Sequence, residues 1–199
     1  VDMGLVPGDG YVELSGLSNS GAVSGTAYFP GVTEQQYLAF HWTRESGYFL
    51  IVAPPEPING SVQPGDNTRT FGRVTNSSGL VAVEVQAHRP STNEYSAVAP
   101  YIWSRADGLV RVLPEGTEGA IYDINEQGQA VGYFRTGTEP AQAFVWSRAT
   151  GMTPIGGTDT IESSAYLISE TGEVTGPARD LAGNAMLFSW TPAGGLVNL

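Results

Sequence analysis

Short runs of alternating apolar and polar residues follow one another along the chain, and polar turns that contain glycine separate them. In residues 124–132, Asn125 opens such a turn and Gly128 closes it. Asparagine can bond its own backbone and glycine accepts a positive φ, so this order predicts a strand, a tight turn and a second strand. The pattern occurs four times, in residues 17–25, 75–83, 124–132 and 168–176.

A second pattern follows each hairpin, with a small or apolar residue, a large apolar residue, a spacer and then tryptophan. It occurs in residues 38–42, 99–103, 142–146 and 186–190, and these contain all 4 tryptophans of the chain. So scarce a residue, found at a single place in each copy, indicates an array of equivalent supersecondary units.

A third pattern is a polar turn after each tryptophan, closed by Gly47, Gly108, Gly151 or Gly195 and followed by an apolar run. Each unit is therefore predicted to hold four short strands, a to d, with tight turns between a and b and between c and d. No helix is predicted, because no window keeps a 3.6-residue period free of glycine and proline.

The spacing of the tryptophans selects the type of repeat. The intervals from Trp103 to Trp146 and from Trp146 to Trp190 are 43 and 44 residues, which is the size of a four-stranded propeller blade. The first interval is longer because of the Pro-rich stretch 54–67 and a predicted loop over 85–98. We therefore expect an all-β fold of tandem four-stranded antiparallel units forming a β-propeller, either of four blades or as part of a larger ring.

The unit boundaries predict a single repeat domain over 10–199, with units at about 10–53, 68–113, 118–155 and 162–199. Residues 1–9 resemble the end of a fourth strand, as in 153–156, and form a spare leading strand. Three explanations of this strand stay open. The chain is part of a longer array, or it pairs with a second copy to close a larger ring, or the strand adds to the sheet edge of a neighbouring subunit.

Charge and composition reduce the number of function classes that fit the sequence. The chain has 20 acidic and 9 basic residues and a net charge of −11, and all the basic residues are arginines. Nucleic-acid binding needs clustered cations, so it is not expected. No cysteine is present, which removes disulfides and thiolate metal sites. No run approaches the roughly 18 apolar residues of a membrane span, and neither a membrane span nor a cofactor is expected.

The third unit carries a resemblance to a known family. Residues 123–132, then 142–146, then Gly151 and Met152 resemble the bacterial extracellular repeats of the HAF family, named for a His-Ala-Phe motif before the tryptophan. The chain departs from that motif, since Leu38, Gln142 or another residue occupies the histidine position. The resemblance implies a propeller-like repeat in an exported bacterial protein with no assigned activity, and it supplies no catalytic residues.

For most side chains that could bind a sugar or a metal ion, the sequence favours a structural role. Trp42, Trp103, Trp146 and Trp190 are predicted to be buried anchors of the repeat rather than sugar platforms, because each follows an apolar strand at the same position. The spacing of Asp123, Asn125 and Gln127 before a glycine resembles a calcium loop. The other copies lack the acid, so a plain hairpin turn is favoured. His41 is expected in a strand, and two separated histidines do not indicate a zinc site.

Any ligand is expected at the b–c and d–a loops, because binding residues concentrate on variable loops held by a rigid scaffold. The candidates there are Tyr37, Asp66, His88, Arg89, Tyr95, Arg135, Asp159, Arg179 and Asp180. No catalytic residue is predicted, and no Gly-x-Ser-x-Gly nucleophile elbow occurs.

The sequence thus favours an exported, non-enzymatic structural or interaction module, such as a subunit of an extracellular or cell-surface assembly, with self-association or strand addition between subunits. The alternative is a carbohydrate-binding or carbohydrate-processing propeller that uses the b–c and d–a loop face, with a glycan as the partner.

Overall fold

A computed structural model describes residues 3–4, 10–29, 36–53, 67–96, 98–155 and 160–199. These residues form β-strands joined by turns, arranged in four antiparallel sheets. The expected all-β fold of four-stranded antiparallel units is confirmed. Within the described residues, the structure contains no helix long and apolar enough to cross a membrane.

Sheet 1 contains four consecutive strands, each paired with the next. They are β1 (Tyr11–Leu17), β2 (Val23–Phe29), β3 (Gln36–Thr43) and β4 (Gly47–Ile51). The register places Trp42 between Val23 and Tyr48, so the tryptophan strand has a hydrogen-bonded neighbour on both sides.

Sheet 2 has the same order with one added strand. Its strands are β5 (Asn67–Thr75), β6 (Val81–Arg89), β7 (Glu94–Tyr95), β8 (Ala99–Ser104) and β9 (Gly108–Arg111). The segment 85–98, predicted as a loop, is partly strand: β6 continues to Arg89, and β7 pairs with its end. The extension is stabilised by burial, because Val85 and Ala87 alternate with polar residues and lie in the core.

Sheets 3 and 4 repeat the arrangement. Sheet 3 contains β10 (Thr117–Ile124), β11 (Ala130–Thr136), β12 (Gln142–Ser147) and β13 (Gly151–Pro154). Sheet 4 contains β14 (Thr160–Ser163), β15 (Leu167–Ile168), β16 (Val174–Asp180), β17 (Ala185–Thr191) and β18 (Gly195–Asn198). Both β14 and β15 pair with β16, so the first strand of this unit is interrupted rather than missing.

The a–b turns of the four sheets share one hydrogen-bonded design. The first turn residue accepts, through its side-chain oxygen, the backbone N–H four residues later at 2.9–3.1 Å. Two residues before the second strand, each turn has a glycine with positive φ, which closes a three-residue hairpin. The side-chain acceptors are Ser18, Asn76, Asn125 and Ser169.

The chain divides into two compact units, Val1–Arg111 and Val112–Leu199, with sheets 1 and 2 in the first and sheets 3 and 4 in the second. Side chains alternate along a strand, so Phe40 and Trp42 lie on one face of sheet 1 and Ala39 lies on the other. We call these the tryptophan face and the alanine face and use the same names for the equivalent positions of every sheet.

In the first unit, the alanine face of sheet 1 packs on the tryptophan face of sheet 2. Ala39 and Ile51 share a buried cluster with Val83 and Trp103, and β5 lies against β1, β2 and β3. Gly72 is required at this crossing, because a Cβ there would overlap the backbone of Gly25.

The second unit uses the same interface. Ala143 and Ile155 of sheet 3 share a buried cluster with Ala165, Ile168 and other residues of sheet 4. The alanine face of one sheet thus meets the tryptophan face of the following sheet in both units.

A buried hydroxyl fixes each of these two interfaces. Thr70 accepts a hydrogen bond from the Ala39 N–H at 2.8 Å and donates one to the Ile51 carbonyl at 2.6 Å. At the equivalent place in the second unit, Ser163 accepts from the Ala143 N–H at 3.0 Å. Only a small side chain at the alanine position lets the hydroxyl approach the backbone so closely, which explains alanine in the motif of these two repeats.

Candidate binding surfaces

The first surface is a cluster of aromatic rings around Arg69, near the start of β5. The Arg69 guanidinium carbon lies 4.9 Å from the ring centre of Tyr37 and 4.9 Å from that of Tyr95. Arg69 Nη1 also donates to the Tyr95 hydroxyl at 3.2 Å. The cation is therefore sandwiched between two tyrosine rings, an arrangement that cation–π attraction stabilises.

His88 extends this cluster from the end of β6. Its ring stacks on Tyr95 with the centroids 4.6 Å apart, and its Nδ1 lies 3.5 Å from Arg69 Nη2. Its Nε2 lies 3.0 Å from Asn93 Oδ1, in the tight turn between β6 and β7. Both ring nitrogens thus face neighbouring side chains, so His88 is held in place rather than left as a mobile loop residue.

Aromatic rings continue from this cluster across the same end of sheet 1. Tyr37 lies 5.7 Å from Phe71 and 5.2 Å from Tyr28, and Tyr28 lies 4.9 Å from Tyr11, measured between ring centroids. Tyr11 and Tyr95 are exposed. The result is an aromatic surface with one arginine cation set into it.

Three of the predicted loop residues, Tyr37, His88 and Tyr95, therefore come together in the first unit. Arg89, next to His88, pairs with Glu94 across the β6–β7 turn at 3.5 Å. Arg69, the centre of the cluster, was not predicted, because it lies in a strand. The sequence signal that could have indicated Arg69 is its position in the strand after the Pro-rich stretch, three residues before Gly72.

The predicted residues of the second unit serve their own turns and strands. Arg135 donates two hydrogen bonds to Glu118 at 2.9 and 2.6 Å, and this carboxylate raises the pKa of Arg135. Arg179 lies 3.5 Å from Glu162 and donates to the Gly183 carbonyl. Such exposed pairs are worth little to stability.

Asp180 closes the β16–β17 turn. Its carboxylate accepts from the Asn184 side chain at 2.9 Å and from the backbone N–H groups of Asn184 and Ala182. Hydrogen bonds from Asn184 are the main cause of the lowered pKa of Asp180. Two further candidates, Asp66 and Asp159, lie outside the described residues.

The tryptophans lie in the packing of the sheets. Trp42, Trp103 and Trp146 are buried, and Trp190 is half-buried. Trp103 lies against Phe49 of the neighbouring sheet, with ring centroids 5.0 Å apart. The Phe49 ring also contacts Arg105, whose guanidinium carbon lies 5.2 Å from the ring centre. Three of the four indoles are thus inaccessible to a sugar ring.

His41 is a buried titratable group in the first unit. It lies 5.7 Å from Trp103 between ring centroids, and its Nε2 is buried without a hydrogen-bond partner. Burial, and to a smaller extent the positive charge of Arg105, lowers the pKa of His41. A shallow cleft of 450 Å³ lies beside it. Hydroxyl-bearing residues of the a–b and c–d turns line this cleft, together with Arg105.

The calcium candidates are engaged in hydrogen bonds of the protein itself. Asp123 accepts the backbone N–H groups of Ile124 and Ile168, both at 2.9 Å. Asn125 accepts the Gln129 N–H at 2.9 Å and donates its amide to the Ser169 carbonyl at 3.1 Å. The side-chain amide of Gln127 donates to a Glu170 carboxylate oxygen at 2.8 Å. These side chains join sheets 3 and 4 through their turns.

In the described part of the chain, no group of three or more His, Asp or Glu residues is arranged to hold a metal ion. The sequence matches no protein-family model, and comparison with curated proteins finds no significant match.

Proposed function

We propose that the protein is an exported, non-enzymatic structural module that functions as a subunit of an extracellular assembly. The observation that carries this proposal is the state of β1, at the edge of sheet 1. Its apolar side chains Tyr11, Leu14 and Leu17 are exposed along the strand. An exposed apolar edge strand recruits another chain unless something covers it.

The charged candidates support the same proposal. Arg135, Arg179 and Asp180 are engaged with their own strands and turns, and Arg69 lies between two rings. These groups are bonded within their own sheets rather than gathered at one site, which suits a scaffold better than an enzyme. The resemblance to exported bacterial repeats and the acidic composition support an extracellular location, where the blade-like sheets form a propeller or part of one.

Sedimentation velocity over a range of protein concentrations tests the proposal. We expect species at multiples of the 21.0 kDa chain mass, and we expect them to become more abundant as salt screens the net charge of −11. A chain that stays monomeric at every concentration and salt level contradicts the proposal.

A second candidate function is carbohydrate binding at the aromatic surface. It is favoured by the exposed Tyr95 ring, which stands beside Arg69 and can stack on a sugar. A glycan array compares the wild-type protein with Tyr95→Ala and with the matched control Tyr122→Ala, an exposed tyrosine of sheet 3. Binding that is lost in the first variant alone supports a glycan site, and binding unchanged in both removes it.

The carbohydrate-processing form of this alternative requires a pair of carboxylates. Replacing each Asp and Glu near the aromatic surface in turn, followed by an assay of glycan hydrolysis, separates an enzyme from a binding module. We expect no hydrolysis by the unaltered protein, so any turnover that one such variant abolishes would contradict a non-enzymatic role.

A further inference from the structure

The four repeats allow each residue of β1 to be compared with its equivalents. Counted from the a–b turn, Leu14 corresponds to Gly72, Ile121 and Ala165, and all three are buried. Leu17 corresponds to Thr75, Ile124 and Ile168, which are also buried. In sheet 1, however, Leu14 is 57% exposed and Leu17 is 74% exposed. Leu14 and Leu17 of sheet 1 are thus exposed at positions where the other three copies have buried residues.

The last sheet shows the complementary difference on its alanine face. Leu187 corresponds to Ala39, Pro100 and Ala143, and all three are buried. Leu199 corresponds to Ile51, Val112 and Ile155, which are buried as well. Leu187 is 58% exposed and Leu199 is 74% exposed. In both sheets, an exposed leucine thus stands where the other sheets have a buried residue, which is small or β-branched in most copies.

These two surfaces are the two sides of the interface seen inside each unit. In the second unit, Ala143 and Ile155 of sheet 3 bury Ala165 and Ile168 of sheet 4. By equivalence, Leu187 and Leu199 belong to the side that covers, and Leu14 and Leu17 belong to the side that is covered. Because all four residues are leucines, each side presents an apolar patch, and the two patches occupy the positions that face each other in the interface inside the second unit.

We infer that sheet 4 of one copy packs with its alanine face on the tryptophan face of sheet 1 of a second copy. This inference rests on the proposed function and names its partner, a second copy of this chain. The contact joins two different surfaces, so it is head-to-tail, and repetition either closes a ring or extends a filament.

The leading residues compete for part of this surface. Met3 packs on Phe40 and Trp42 of the tryptophan face, and its carbonyl accepts the Trp42 indole N–H at 3.1 Å. Met3 followed by Gly4 resembles Ile155 followed by Gly156, so Met3 is the sequence equivalent of Ile155. Met3 thus occupies the place that Leu199 of the incoming sheet takes. Deleting residues 1–9 is expected to strengthen the association, whereas strand addition by these residues would be abolished by the deletion.

Single cysteines test the contact directly, because the chain has none of its own. Val12 is the equivalent of Thr70 and Ser163, whose hydroxyls touch the backbone at Ala39 and Ala143. Val12 of one copy is therefore expected next to Leu187 of the other. The variants Val12→Cys and Leu187→Cys are prepared separately, then mixed and oxidised.

We expect disulfide-linked dimers mainly in the mixture, and few in either variant alone. A mixture of Val12→Cys with Thr153→Cys, an exposed position of sheet 3, gives the background. Linked dimers that form as readily in the separate variants as in the mixture, or only at the background level, overturn the head-to-tail contact.

A charge placed on the patch gives a second measurement. Leu187→Glu is expected to weaken self-association roughly tenfold or more, because a carboxylate would replace a leucine that the inferred contact buries. Leu181→Glu changes another exposed leucine, in the β16–β17 turn of the same sheet, and is expected to have no effect. Circular dichroism checks that both variants fold.

The outcomes separate this inference from the proposed function. If the wild-type chain associates and both glutamate variants associate equally well, the head-to-tail contact is wrong and the assembly uses another surface. If the wild-type chain does not associate at all, both proposals fail.

Discussion

The hydroxyl of Thr70 is the side chain on which the packing of sheets 1 and 2 depends most, and Thr70→Val tests that dependence. The variant keeps the shape of the side chain but removes one acceptor and one donor. The Ala39 N–H and the Ile51 carbonyl then lose their partner. Thr70 is fully buried, so water does not replace the lost hydrogen bonds.

The expected cost follows from those two groups. Leaving one buried polar group unsatisfied costs about 1–3 kcal/mol, and the added methyl group recovers a little less than about 1 kcal/mol. With two such groups, we therefore expect Thr70→Val to reduce the free energy of unfolding by about 1–5 kcal/mol. Equilibrium unfolding in urea measures this as a midpoint shift on the order of 1 M.

Hydrogen exchange gives the matching local measurement. The Ala39 amide is expected to exchange faster in Thr70→Val, while the Ala143 amide in the other unit keeps its protection, because Ser163 is unchanged. Thr153→Val, on an exposed strand of sheet 3, is the control for valine in a sheet. Equal stability of the two variants, with the Ala39 amide still protected, would refute the role of the hydroxyl.

Three further predictions concern single side chains. Because burial lowers the pKa of His41, the unfolded chain binds its proton more readily, so stability is complete above about pH 6.5 and falls as the pH drops below it. His41→Gln removes this part of the acid dependence in urea titrations at several pH values, and His88→Gln retains it; equal profiles would contradict the assignment. Asn125→Ala, which removes a turn acceptor and a bond to the neighbouring sheet, is expected to cost about 1–3 kcal/mol in urea unfolding, and a cost near zero would count against it. Phe144→Ala, at a fully buried ring, is expected to cost about 3–5 kcal/mol, well above the cost of Phe49→Ala at a partly exposed ring, and similar costs would contradict the packing.

The repeated turns explain why the sequence predicted the fold. Asn125 and Gly128 act within five residues, so their order along the chain is sufficient to specify a hairpin. The tryptophan motif marks the third strand in the same local way. The extension of β6 to Arg89 was missed because it depends on tertiary pairing: β6 pairs with β5 as far as His88, and its last two residues pair with β7.

The binding surface could be predicted only in part. Tyr37 and Tyr95 were candidates because they border irregular sequence, yet their meeting around Arg69 depends on how β3, β5 and β7 come together. Arg135 and Asp180 looked equally exposed in sequence, and only the structure shows that Glu118 and Asn184 engage them. The difference between an available side chain and an engaged one is set by tertiary contacts, which the local pattern does not contain.

Electron cryomicroscopy of the assembled protein tests the central claim most directly, because it shows what covers the terminal sheets. The expected image places the alanine face of sheet 4 of one copy on the tryptophan face of sheet 1 of the next. Leu187 and Leu14, both exposed in the single chain, would be buried at that contact. An assembly in which both leucines still face solvent would contradict the account.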